Sequence, residues 1–203
     1  ILSVTQPNFE RIVEMQLEHL DEMGDLCQKK LIVEIMGKHS NIIFTDADGT
    51  IIDSIKHISH QVSSVREVLP GRTYVYPPAQ EKENPLDIDI NYFMNHVLRK
   101  PVSVTKAIYT SLTGLSPVIA NEICYRAGVD GGMSTAGLSM QEQEDLYAAF
   151  DAMRTSIKEE QFAPCIAYQG YAPKEFAACT LTMYGEEADN LPKKDVDGLK
   201  VFP

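Results

Sequence analysis

The sequence predicts an α+β protein: an antiparallel β-rich part, a helical part built around a helix-hairpin-helix, and a small β segment at the end. Three observations carry this expectation. Apolar residues recur with a period of two early in the chain and with a helical period after Asp87. An Asp-Gly dipeptide separates two runs of β-branched residues, the mark of a tight hairpin. Pro70, Pro77, Pro78 and Pro85, with Gly71, exclude a regular helix between the two regimes.

Residues 9–20 read as the first strand, because Val13, Met15 and Leu17 alternate with Glu14, Gln16 and Glu18, although Ile12 breaks the strict alternation. Residues 21–25 turn the chain and 30–36 return. Residues 41–45 and 50–58 then pair across Asp46-Ala47-Asp48-Gly49, whose glycine supplies the positive φ a tight turn needs. The result is a meander of about four strands. Residues 74–76 add one short strand to an otherwise extended, polar connector.

Helical faces follow at 88–99, 103–112, 118–127 and 139–158. The last opens with Ser139-Met140-Gln141-Glu142, a capping-box pattern. Strand patterns return at 165–168, 175–179 and 181–184, with Gly170 and Pro173 in the turn, before a polar tail at 186–203. The expected divisions are therefore 1–78 (β-rich), 79–162 (helical) and 163–203 (small β segment and tail).

Composition narrows the function. The 203 residues include 18 basic and 29 acidic side chains, a net charge of −11. The acidic excess is uneven: residues 26–72 hold six basic and five acidic groups plus three histidines, whereas residues 73–203 hold eleven basic and eighteen acidic. A solubilising acidic surface around a neutral sheet explains the sum. No apolar run approaches the ~18 residues of a membrane span. Cys27, Cys124, Cys165 and Cys179 stand far apart with no C-x-x-C, which argues against zinc and against a disulfide framework and suits a cytoplasmic protein. The chain opens at Ile1 without a charged-then-apolar leader and is read as a fragment.

Four features could carry function. Lys38, His39, Ser40 and Asn41 follow Gly37 in a polar corner between two apolar runs. Two readings of it are open: cationic groups presented to a phosphate together with Arg66 and Arg72, or turn chemistry kept for folding. The turn around Gly114 and Ser116-Pro117 is the second, either pointing backbone N–H groups at a phosphate or forming a plain helix-helix corner. Glu10-Arg11, the third, places an acid and a base on adjacent strand residues, pointing to opposite faces or both lying at a sheet edge. Asp46, Asp48 and Gly49 are the fourth, but they lack the bidentate glutamate of a calcium loop. No phosphate-binding glycine loop and no spacing that suggests a nucleophile with its base occurs, so we expect no enzyme, no metal and no cofactor.

Residues 33–43, VEIMGKHSNII, resemble the NFACT-N domain that opens the bacterial ribosome quality-control factors, a family long called fibronectin- or fibrinogen-binding proteins. Three further stretches agree in order: Ile51-Ile52-Asp53; residues 64–72 with Tyr74 and Pro77-Pro78; and Gly114 to Pro117 with Ala120, Glu122, Ile123 and Arg126-Ala127-Gly128. The resemblance implies a fold like the N-terminal and helix-hairpin-helix parts of formamidopyrimidine-DNA glycosylases, without base excision. It also implies that the domain's first strands, a coiled coil and an NFACT-R domain lie outside this sequence. As partners it implies alanyl-tRNA and a large ribosomal subunit obstructed by peptidyl-tRNA, with C-terminal alanine tailing of the stalled peptide as the outcome. The family's Asp-Arg pair, implicated in tRNA recognition, aligns with Glu10-Arg11, glutamate standing for aspartate. Lys38, His39, Ser40, Asn41, Arg66, Arg72, Gly114 and Ser116 are then candidate RNA-phosphate contacts. A surface adhesin for fibronectin or fibrinogen, and a nucleic-acid-binding protein related to DNA repair, are the alternatives.

Overall fold

Strand-forming residues in the first quarter of the chain build a five-stranded antiparallel meander in chain order: β1 (Ser3–Thr5), β2 (Ile12–Leu20), β3 (Leu26–Glu34), β4 (Asn41–Asp46) and β5 (Ile51–Ser54). The computed structural model describes residues 1–78, 81–169 and 172–184; the expected tail at 186–203 and Gly170 lie outside them. The chain divides into two compact units, Ile1–Glu81 and Lys82–Pro203. The fold class is α+β.

In the first unit, alternation and register decide what is buried. Ile12 pairs with Glu34, Ile32 with Ile43, and Thr45 with Ile51, which puts these side chains on one face. Ile12, Ile32, Ile43, Ile51 and Val68 form the core, with Met36, Ile58 and Tyr74 packed against it. Burying each of these isoleucines contributes about 1.5–3 kcal/mol. The opposite face carries Val13, Met15, Leu17, Leu31, Val33 and Phe44, all half-buried.

Several boundaries differ from the expected ones, each for a local reason. β2 begins at Ile12 rather than residue 9, because Asn8 and Phe9 take φ of 51° and 57°, which no strand accommodates. β3 starts earlier, at Leu26, as Leu20 already pairs with it. β5 ends at Ser54: Lys56 is drawn off by the Asn41 side chain, and Ile58 bridges Val68 instead. Residues 74–76 form no strand; the Tyr74 amide donates to the Gly49 carbonyl at 2.8 Å in an irregular cover.

The second unit is helical. A short α1 (Ile90–Tyr92) runs on as a π-helical turn (Phe93–Val97), followed by α2 (Val104–Ser111), α3 (Pro117–Arg126) and α4 (Met140–Lys158). Phe93 stacks on Phe150 at 5.0 Å between centroids, and Val104, Ile108, Leu112, Ile123 and Leu146 complete a buried cluster. The capping box at Ser139 is present, its hydroxyl accepting from the Glu142 amide and the Glu142 carboxylate accepting from the Ser139 amide. β6 (Cys165–Gln169) and β7 (Ala172–Ala177) make a separate antiparallel pair. The strand expected at 181–184 is absent: Thr182 to Tyr184 form a 3-10 turn, because the Thr182 and Met183 amides are captured by the Glu122 carboxylate at 2.9 and 3.0 Å.

Candidate nucleic-acid interface

An up-and-down meander sends alternate connections to opposite ends of its sheet. The β2–β3 and β4–β5 turns carry Asp21, Glu22, Asp25, Asp46 and Asp48, so one end is acidic. At the other end lie Glu10 and Arg11 ahead of β2, the 3-10 turn Gly37–His39 between β3 and β4, and Lys56 just after β5. The Ile35 amide donates to the Arg11 carbonyl at 2.8 Å, which joins the first two of these segments. Lys56 Nζ donates to the Lys38 carbonyl at 3.1 Å, which joins the third. Arg11, Lys38, His39 and Lys56 are exposed there. Among the described residues, Arg11, Lys38 and Lys56 have no carboxylate within ion-pair distance.

Glu10 and Arg11 lie before β2, not within it. Their backbone is fixed on both sides: the Glu10 amide donates to the Pro7 carbonyl at 2.9 Å, and Gln6 Nε2 donates to the Glu10 carbonyl at 2.8 Å. The left-handed Asn8 and Phe9 precede them, a conformation costly for a bulky residue such as phenylalanine. Glu10 helps line a shallow groove of about 50 Å³ with Pro7, Ile12, Met36, Tyr76 and Pro77. Burial, then the hydrogen bond to Glu14, pushes the Tyr76 hydroxyl up to about 12.

The polar corner divides between two jobs. Gly37 takes φ 58°, which a side chain resists, and lets the chain turn out of β3. Ser40 Oγ accepts from the Met36 amide at 2.9 Å. Asn41 is buried; its Nδ2 donates to the Lys56 carbonyl and its Oδ1 accepts from the Lys56 amide, both at 2.9 Å. These two side chains hold the corner together, while Lys38 and His39 are exposed to solvent. Lys56 was not singled out from the sequence; its signal lay in the pairing of β4 with β5, which carries residue 56 back beside Asn41.

Arg66 and Arg72, expected to join Lys38 as phosphate contacts, are engaged by carboxylates. Arg66 Nη2 donates to Glu34 Oε2 at 2.5 Å and its Nη1 to the Val75 carbonyl at 2.7 Å, with the side chain only 12% exposed. Tyr74 donates to the other Glu34 oxygen at 2.8 Å, so the buried carboxylate is enclosed by two donors. Arg72 Nε stands 3.2 Å from Glu67, which offsets its charge. Arg66 thus holds the irregular cover on the sheet by its side chain, and Arg72 by its carbonyl, which accepts from the Ile51 amide at 2.8 Å.

In the second unit, Gly114 (φ 75°) turns the chain between α2 and α3, and Ser116 caps α3 by accepting from the Ile119 amide at 3.3 Å. Glu122 is fully buried, accepting from Arg126 Nε at 2.7 Å and from the Thr182 hydroxyl at 2.6 Å. Burial works to raise its carboxyl, but the hydrogen bonds from Thr182, Met183 and Arg126 outweigh that and hold it below the usual range. No group of three or more potential metal ligands occurs among the described residues. No helix among them is long and apolar enough to cross a membrane.

A family model described as NFACT N-terminal and middle domains matches residues 1–197. The chain belongs to this family. A Bacillus subtilis (strain 168) protein named Rqc2 homolog RqcH is 36% identical over 167 residues, covering 82% of this chain and 27% of the relative. A Streptococcus pneumoniae (serotype 2, strain D39) protein of the same name is 40% identical over 179 residues, covering 87% and 29%. The chain thus spans less than a third of the curated NFACT relatives it matches. Among solved structures, the fibrinogen binding protein from Staphylococcus aureus superposes with TM-score 0.72 at 27% identity, covering 90% of this chain and 62% of that one. The N-terminal part of the fibronectin/fibrinogen-binding protein from Streptococcus suis gives 0.61 at 29% identity, covering 91% and 65%.

Proposed function

We propose that this NFACT chain is the tRNA-contacting part of a ribosome quality-control factor. Arg11, Lys38 and Lys56 donate to RNA phosphates, His39 adds to them when protonated, and Glu10 accepts from a base or ribose at the groove. The observation that carries this reading is the exposed cationic end of the β1–β5 sheet in a chain whose net charge is −11. Most of that surface repels RNA, so a confined positive end sets the orientation of the encounter. Family membership supplies the setting: in the whole protein, alanyl-tRNA on an obstructed large ribosomal subunit, with alanine tailing as the output. The role is binding, and no catalytic group is assigned.

The test is Arg11→Ala in the full-length parent protein. Folding stays intact, tRNA affinity falls and alanine tailing is lost; normal tailing by a folded variant would remove Arg11 from the interface. The names of the solved neighbours, which mention fibrinogen and fibronectin, favour a second reading as a matrix-binding protein. Purified protein that binds immobilised fibronectin or fibrinogen but has no affinity for tRNA would replace the first reading with the second.

A further inference from the structure

Cys165 opens β6, and its sulfur lies against the backbone of Cys179 just past the end of β7. Cys165 pairs with Ala177, and the Ala163 amide donates to the Ala178 carbonyl at 3.1 Å. Cys179 sits in a bend two residues past the end of β7. Cys165 Sγ lies 3.3 Å from the Cys179 carbonyl oxygen, and the Leu181 amide donates to the same sulfur at 3.3 Å. Both thiols are free and half-buried.

In the thiol form Cys165 Sγ bridges the Cys179 carbonyl and the Leu181 amide, and a disulfide removes the S–H that the first of these contacts uses. Closing the bond therefore rearranges residues 179–181, which these contacts hold. That segment leads directly into Thr182 and Met183, whose amides hold Glu122 at 2.9 and 3.0 Å. Movement of the first disturbs the second, since only two bonds of backbone freedom per residue separate them.

We propose that Cys165 and Cys179 form a reversible disulfide that loosens the clasp of Thr182 and Met183 on Glu122. The chemistry is thiol–disulfide exchange with a low-molecular-weight disulfide such as oxidised glutathione. One protein thiolate attacks it, forming a mixed disulfide and releasing one small thiol. The second protein thiolate then displaces the other small thiol. Two protein sulfurs are oxidised, the small disulfide is reduced, and the two protein thiol protons end on the released thiols. An excess of small thiol reduces the bond again by the same two exchanges run in reverse. The inference stands apart from the RNA reading.

The experiment uses the whole chain in glutathione buffers of graded redox poise, with peptide mapping under non-reducing conditions and amide hydrogen exchange. A cross-link between the peptides containing Cys165 and Cys179 is expected, lost again with dithiothreitol. Exchange at Thr182 and Met183 is expected to rise by about tenfold in the oxidised form. Cys179→Ser is the clean control, because both hydrogen bonds to Cys165 use backbone atoms of residues 179 and 181 and survive. In that variant the oxidant leaves exchange at Thr182 and Met183 unchanged. Mixed disulfides alone, links to Cys27 or Cys124, or a cross-link that leaves exchange unaltered would each overturn the proposal.

Discussion

Arg66 and Glu34 meet at 2.5 Å beneath the cover of the first sheet, with the glutamate side chain fully buried. A pair separated by 32 residues in sequence thus closes the irregular segment over β3. The same pairing removes Arg66 from the candidate RNA surface and gives it a structural task.

Arg66→Ala leaves Glu34 buried with only Tyr74 as a side-chain donor. Breaking such a pair costs about 3–5 kcal/mol. Urea denaturation of the first unit's signal should show that loss, whereas Arg11→Ala should unfold like the parent. A tolerated Arg66→Ala would show that the cover does not depend on the Arg66–Glu34 pair.

Asn41→Ala separates support from contact. It removes both hydrogen bonds to the Lys56 backbone, a loss of about 1–3 kcal/mol at a buried site. We expect tRNA affinity to fall as well, through the freed Lys56. Lys56→Ala lowers affinity and loses only the exposed hydrogen bond to the Lys38 carbonyl, a smaller stability loss than that of Asn41→Ala. Equal stability losses in both variants would place Lys56 in the fold rather than at the interface.

Salt titration of tRNA binding reads the number of phosphate contacts. Three cations at the sheet end predict a log–log slope of roughly −2 to −3. Each of Arg11→Ala, Lys38→Ala and Lys56→Ala should reduce that slope by about one unit. A slope near zero would mean that RNA is not held at this end.

Acid weakens the Glu122 clasp. Its carboxyl is depressed in the folded state, so it contributes stability that is present above its unfolded value, near 4.5, and is lost as pH falls through the lower folded value. Thermal melts of the second unit should show a drop over that acidic window. Glu122→Gln should be less stable at neutral pH and lose the Glu122 share of the acid dependence. An unchanged acid profile would exclude Glu122 as its source.

The meander and the helices were readable because they depend on near neighbours. Alternation at Val13, Met15 and Leu17, the turn at Asp46 to Gly49, and the capping box at Ser139 each need only a few adjacent residues. The ends of elements were less legible, since Ile58 leaves β5 for a bridge to Val68 and Thr182 leaves a strand pattern for Glu122. Glu122 lies 60 residues from Thr182, and Val68 lies across an irregular loop from Ile58.

By itself the sequence determined the α+β class, a β-rich part followed by a helical part, and the ordered stretches that resemble NFACT. It missed β1 and placed strands at 74–76 and 181–184 that do not form. Only the tertiary structure decided which cations are free. Arg66 and Lys38 look alike in sequence, yet one is locked against a buried carboxylate and the other stands in water. Secondary structure follows from local periodicity, but the availability of a charge depends on which distant carboxylate the fold carries to it.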